Sequence, residues 1–211
     1  MPSVWADNEE VLFNDGVPDN PKTIYELMMG ALAEQRKSVV EFFVDGQDTL
    51  RNGSFPESFS KIEAFSMLHD EITMRLISES LKLIENLDGE VDAYSRNILN
   101  TPWSEVFKRM DSLIEKIQPF ADLVDNAGHF AKAYTPVWSN TLNELANSQC
   151  NVLNNILKSF ENGDPASLSD TTIIELIPLI KRSQKFFNQE VIPQLEQSIA
   201  DLKKSAKQNN A

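Results

Sequence analysis

A single cysteine, Cys150, stands among 211 residues, so no intramolecular disulfide can form. Histidine occurs only twice, as His69 and His129. A ferritin-like di-iron bundle needs two Glu-x-x-His pairs, yet the residues three before these histidines are Ser66 and Asn126. The seven glycines fall singly. They build no phosphate-cradling loop, no dinucleotide fingerprint and no Gly-x-Ser-x-Gly nucleophile turn. No apolar run approaches the about 20 residues that a membrane helix needs. The longest strongly apolar stretch, residues 173–180, contains Glu175 and Pro178. The first twenty residues lack a basic segment followed by an apolar one, so no secretory signal is read there. These absences predict a cytoplasmic, non-enzymatic protein with no catalytic residues, no cofactor and no bound metal.

Charge is also lopsided. Nineteen basic residues face thirty-two acidic ones, a net charge of −13. Such a field repels phosphate backbones and anionic headgroups, which argues against nucleic acid as a partner and against insertion into a membrane. The excess is partly local. Residues 1–22 carry five acids against Lys22, and residues 57–92 carry nine against Lys61, Arg75 and Lys82. What remains is ordinary: 41% hydrophobic and 24% charged residues, in a chain long enough to build a core without metal or disulfide.

Residues 1–21 show no sustained period and end in Val17-Pro18-Asp19-Asn20-Pro21, which reads as an extended acidic arm. Trp5, Leu12 and Phe13 give this arm apolar side chains with which to dock. Residues 22–205 recur at three- and four-residue spacing and predict an all-α domain, an antiparallel bundle of five or six long, partly kinked helices. The first helix is expected over 24–50, capped by Thr23, with Ile24, Met28, Leu32, Val39, Phe42 and Phe43 on one side. The second is expected over 57–87, along Ile62, Phe65, Leu68, Ile72 and Leu76. Thr101-Pro102 opens a third that Pro119 ends or kinks, and a further piece follows over 120–134. Helices at 137–161 and 170–204 complete the set, the last one bent at Pro178 and Pro193, and residues 206–211 are expected to fray. Asn52-Gly53 and Asn162-Gly163 each stop a predicted helix. That likeness fits either a degenerate duplication of a helical hairpin or independent use of the same stop.

Among polar features, Asn140, Asn143, Asn147, Asn151 and Asn154 recur at spacings of 3, 4, 4 and 3. On a 3.6-residue helix they share one face, spread over about 80°. Amides donate and accept without the desolvation cost of ions, so this face is a candidate contact for a partner helix or for the protein's own copy. Cys150, beside the apolar face, is expected to be a buried thiol, His69 a hydrogen-bonded core histidine, and His129 a surface partner of Asp125. Asp88-Gly89-Glu90-Val91-Asp92 places carboxylates at four-residue spacing, and such acidic spacings resemble those with which phosphate-responsive PhoU-type bundles hold metal.

Around Met29 to Leu81 the helical patterning is similar to that of the flagellin export-chaperone family, a small bundle that grips a helical tail. The resemblance implies a chaperone acting through a groove between helices. The function expected from the sequence is therefore a non-enzymatic interaction module, adaptor- or chaperone-like, binding another protein or its own copy. The alternative is a ligand- or metal-responsive helical regulator of PhoU-like type.

Overall fold

Between Lys37 and Val44 the chain is a strand, and this overturns the all-α expectation. The computed structural model describes residues 2–209 and divides after Ile72 into two units. The N-terminal unit runs β1 (Ser3–Ala6), β2 (Glu9–Glu10), α1 (Pro21–Ala33), β3 (Lys37–Val44), β4 (Gln47–Asp48), α2 (Thr49–Asn52) and β5 (Lys61–Leu68). Its five strands form one mixed sheet in the order β2-β1-β5-β3-β4, with β1 parallel to β5 and the other pairs antiparallel.

The local chemistry explains the hairpins. Asp7 and Asn8 between β1 and β2, and Asp45 and Gly46 between β3 and β4, all have positive φ. A two-residue hairpin needs left-handed backbone at both central positions, and Asp, Asn and Gly tolerate it best. Both aspartates then work a second time, on opposite ends of β5. Asp7 accepts from the Ser66 N–H at 2.7 Å, and Asp45 accepts from the Lys61 N–H at 2.8 Å. Helix α1 is capped by Asn20, not by Thr23: the Asn20 side chain accepts from the Lys22 N–H, and Pro21 occupies the first turn, where its missing N–H costs nothing. Ile24 and Met28 of α1 join Val4, Phe42, Val44 and Ile62 in a core on one face of the sheet.

The predicted helix over 24–50 is thus α1, β3, β4 and α2, and the predicted helix over 57–87 is β5 followed by α3 (His69–Leu83). A β-bulge shifts the register between Val39 and Glu41, so that Val39 and Phe42 both point into the core. Three-residue spacing inside a bulged strand imitates one turn of a helix. The export-chaperone likeness over Met29 to Leu81 rested on helical patterning, and over Lys37–Val44 and Lys61–Leu68 that patterning belongs to strands.

Helix α3 spans the division between the units. The C-terminal unit continues with α4 (Leu87–Ile98), α5 (Trp103–Lys108), α6 (Met110–Tyr134), α7 (Ser139–Asn162), α8 (Pro165–Asp170), α9 (Ile177–Phe186) and α10 (Ile192–Asn209). These helices close over a second core that includes Val91, Leu113, Phe120, Leu145 and Phe187. Helix α6 passes through Pro119 without ending, and Thr101 closes α4 through Asn97 instead of capping α5. Around Pro178 and Pro193 the helical run stays continuous. Five- and six-residue π-helical segments precede these prolines, over Phe187–Val191 and Thr171–Leu176. There the Ile177 N–H reaches back five residues to Thr172, and the Ile192 N–H likewise to Phe187. Proline has no N–H and crowds the carbonyl four residues back, so a wider turn just upstream accommodates the ring.

The two Asn-Gly stops share their end geometry, each with glycine in the left-handed region. They do not share surroundings: one ends the four-residue α2, the other the 24-residue α7. Of the tail expected to fray, residues 206–209 continue α10, and residues 210 and 211 lie outside the described residues.

Candidate functional site: the outer face of the sheet

Side chains alternate across a sheet, and the face opposite α1 receives what the core does not. Val4, Phe42, Val44, Ile62 and Ala64 point inward, which sends Trp5, Phe43, Glu63 and Phe65 outward. The register aligns these outward residues across all five strands. Glu10 pairs with Trp5, Trp5 with Glu63, Glu63 with Phe43, and Phe43 with Asp48. One row therefore reads acid, aromatic, acid, aromatic, acid. In the next row Glu41 lies opposite Phe65, whose ring meets that of Phe43 edge-on at 6.2 Å.

Trp5, Phe43 and Phe65 are all half-buried and belong to neither apolar core. Trp5 and Phe65, with Asn8, Lys61 and Glu63, line a surface hollow of about 260 Å³. Lys61 donates to Glu63 at 2.7 Å. Glu10 and Glu41 are exposed and form no ion pair among the described residues. The first 72 residues hold fourteen acids against five bases, so nine of the thirteen net negative charges belong to this unit. Beside the face, burial works to raise the Asp7 pKa, but hydrogen bonds from Ser66 and the Lys37 ammonium outweigh it and leave the carboxyl below its usual value.

The residues singled out in the sequence are scattered. Trp5 sits in β1, Leu12 is 86% exposed, and Phe13 packs partly against the N-terminal core, so the three share no single surface. Asn140, Asn143, Asn147, Asn151 and Asn154 all lie exposed along α7. Asn140 and Asn143 border a hollow of about 600 Å³ at the α6–α7 turn, and Asn151 borders another of about 390 Å³ beside Glu175 and Arg182. Cys150 is exposed, not buried, with the Asn154 amide nitrogen 3.5 Å from its sulfur. Half-buried His69 stands 2.7 Å from the Ser38 hydroxyl, and exposed His129 lies 3.6 Å from Asp125. The acids of the 88–92 cluster are each engaged by a different base: Asp88 by Lys181, Glu90 by Lys116 and Asp92 by Arg96. Among the described residues no group of three His, Cys, Asp or Glu side chains is placed to hold a metal ion, and no helix is long and apolar enough to cross a membrane.

Sequence reading missed Phe43, Phe65, Glu63, Glu41 and Glu10 as a group. One signal was present: Asp45-Gly46 directly after Val39-Val40-Glu41-Phe42-Phe43-Val44, a hairpin dipeptide after a β-branched and aromatic run. Comparison with family models, with curated proteins and with solved structures finds no match to this chain.

Proposed function

We propose that this chain is a non-enzymatic protein-interaction module that engages its partner through the outer face of the N-terminal sheet. The observation that carries the reading is the placement of Trp5, Phe43 and Phe65 on one half-exposed face, in register, outside both cores. Large rigid aromatics bury much area at low entropic cost and dominate contact surfaces where they cluster. The edge strands β2 and β4 have only two residues each, so adding a strand from a partner finds little backbone to pair with. Side chains on the face, not strand edges, are the contact. An adaptor or chaperone role fits this arrangement.

A photo-crosslinking residue introduced at Glu41, on the outer face, tests the reading against one at Glu26 on α1, across the sheet. The expected result is a discrete crosslinked product from Glu41 and none from Glu26. Equal products from both, or none from Glu41, would reject the outer face as the contact.

A further inference from the structure

The alternation of acid and ring on the outer face specifies what chemistry fits it. We infer that this face takes a cationic segment of a partner protein, with arginine or lysine side chains seated over Trp5, Phe43 and Phe65 and paired with Glu10, Glu41 and Glu63. The inference rests on the interaction reading above and adds the partner's chemistry to it.

Adjacent strands lie about 4.8 Å apart, and a guanidinium is held by a ring whose centroid is within about 6 Å. A cation over Trp5 is therefore flanked by Glu10 on one side and Glu63 on the other, and a cation over Phe43 by Glu63, while Asp48 on its far side already accepts from the Leu50 and Arg51 N–H groups as the cap of α2. One such position is already taken by the chain's own Lys61, held to Glu63. Both groups of that pair are about half exposed, so it is readily exchanged for a partner's cation. Glu10 and Glu41 have no base of their own among the described residues. Nine net negative charges in 72 residues add a field that draws such a segment in.

The same chemistry removes other occupants. A second copy presenting this face would set acid against acid, and nucleic acid or an anionic bilayer would be repelled. Arginine suits the site better than lysine, because its planar head stacks on a ring while its edge meets a carboxylate.

The test uses the full chain and three labelled twelve-residue peptides, alternating Arg-Ser, Lys-Ser and Glu-Ser, followed by fluorescence anisotropy. The Arg peptide should bind, the Lys peptide more weakly and the Glu peptide not at all. The double variant Glu10→Gln/Glu41→Gln should weaken the Arg peptide about tenfold, while Glu26→Gln on α1 with Glu34→Gln at its C-cap, the same change in charge, leaves it unmoved. Phe43→Leu, which keeps the apolar bulk and loses the ring, should also weaken it. Equal loss in the two double variants would reduce the effect to net charge and overturn the inference. So would absence of binding by the Arg peptide. A crosslink from Glu41 alongside either of those failures leaves the outer face as the contact and rejects only its cationic partner.

Discussion

The Asp7 carboxylate accepts both the backbone N–H and the hydroxyl of Ser66, fifty-nine residues further along the chain. This contact fastens the β1–β2 turn to the C-terminal end of β5, and with Lys37 it holds the Asp7 pKa below its ordinary value despite the opposing pull of burial. A depressed folded-state pKa stabilises the protein above the unfolded value and loses that contribution as pH falls through the folded one. The window therefore opens at about pH 3.9 and extends downward. Asp7→Asn keeps the left-handed turn and an acceptor but has no charge to lose. The expected outcome is a lower urea midpoint than wild type at about pH 7, with the gap narrowing as pH falls below about 3.9. A gap that stayed constant would show that the Asp7 charge adds nothing to the fold.

Phe42 and Phe43 are neighbours with opposite fates. Phe42 is fully buried against Tyr25 and Phe55, whereas Phe43 faces outward against Phe65. Phe42→Ala should cost about 3–5 kcal/mol by leaving a cavity. Phe43→Ala removes a half-exposed side chain and one edge-on ring contact, and should cost about 1 kcal/mol. Chemical denaturation of the two variants checks this. Similar losses would mean that the outward face is core, which would remove the basis for treating it as a contact surface.

The same pair shows what the sequence could and could not reveal. Helical spacing was legible where one face of a long helix is buried: the predicted 137–161 helix is α7, along Leu142, Leu145, Val152, Ile156 and Phe160. It misled where the bulge at Val40 put Val39 and Phe42 three apart on one face of a strand. In β5, Ile62 and Ala64 alternate correctly, but Ala64 is too small to stand out, and the apolar Phe65 and Met67 on the other face blur the period. The outer-face row was not legible at all. It assembles Glu10, Trp5, Glu63, Phe43 and Asp48 from five strands, and only register brings them into line.

Two glycines should respond oppositely to alanine. Gly30 lies in the interior of α1 with ordinary helical backbone and open space where a Cβ would stand. Gly30→Ala should stabilise the protein by about 1 kcal/mol through helix propensity. Gly163 ends α7 with φ of +62°, and a Cβ there would meet the Trp103 indole nitrogen at 3.4 Å. Gly163→Ala should cost about 1 kcal/mol or more, since the left-handed backbone resists a Cβ while the indole only touches it at ordinary van der Waals distance. Thermal melts of the two variants should move in opposite directions. A destabilised Gly30→Ala would mean that α1 packs more tightly on that side than the open space implies.

The asparagine face of α7 offers the sharpest comparison with the sheet. All five amides are exposed, on the side away from Leu142, Leu145 and Val152, and three of them, Asn140, Asn143 and Asn151, border hollows open to solvent. If the amides meet only water, Asn143→Lys, Asn147→Lys and Asn151→Lys together should leave the fold intact and stabilise α7 by a few tenths of a kcal/mol per site, about the propensity difference. If a partner helix or a second copy packs on them, each ammonium must be desolvated or left unpaired, at about 1–3 kcal/mol apiece. The expected result is an unchanged molecular mass by light scattering and an undiminished crosslink from Glu41. Loss of self-association with unchanged circular dichroism would give the α7 face the contact role instead. Loss of the Glu41 product in the same variant would mean that one partner reaches both faces, because nothing in the substitution alters the charge or shape of the sheet.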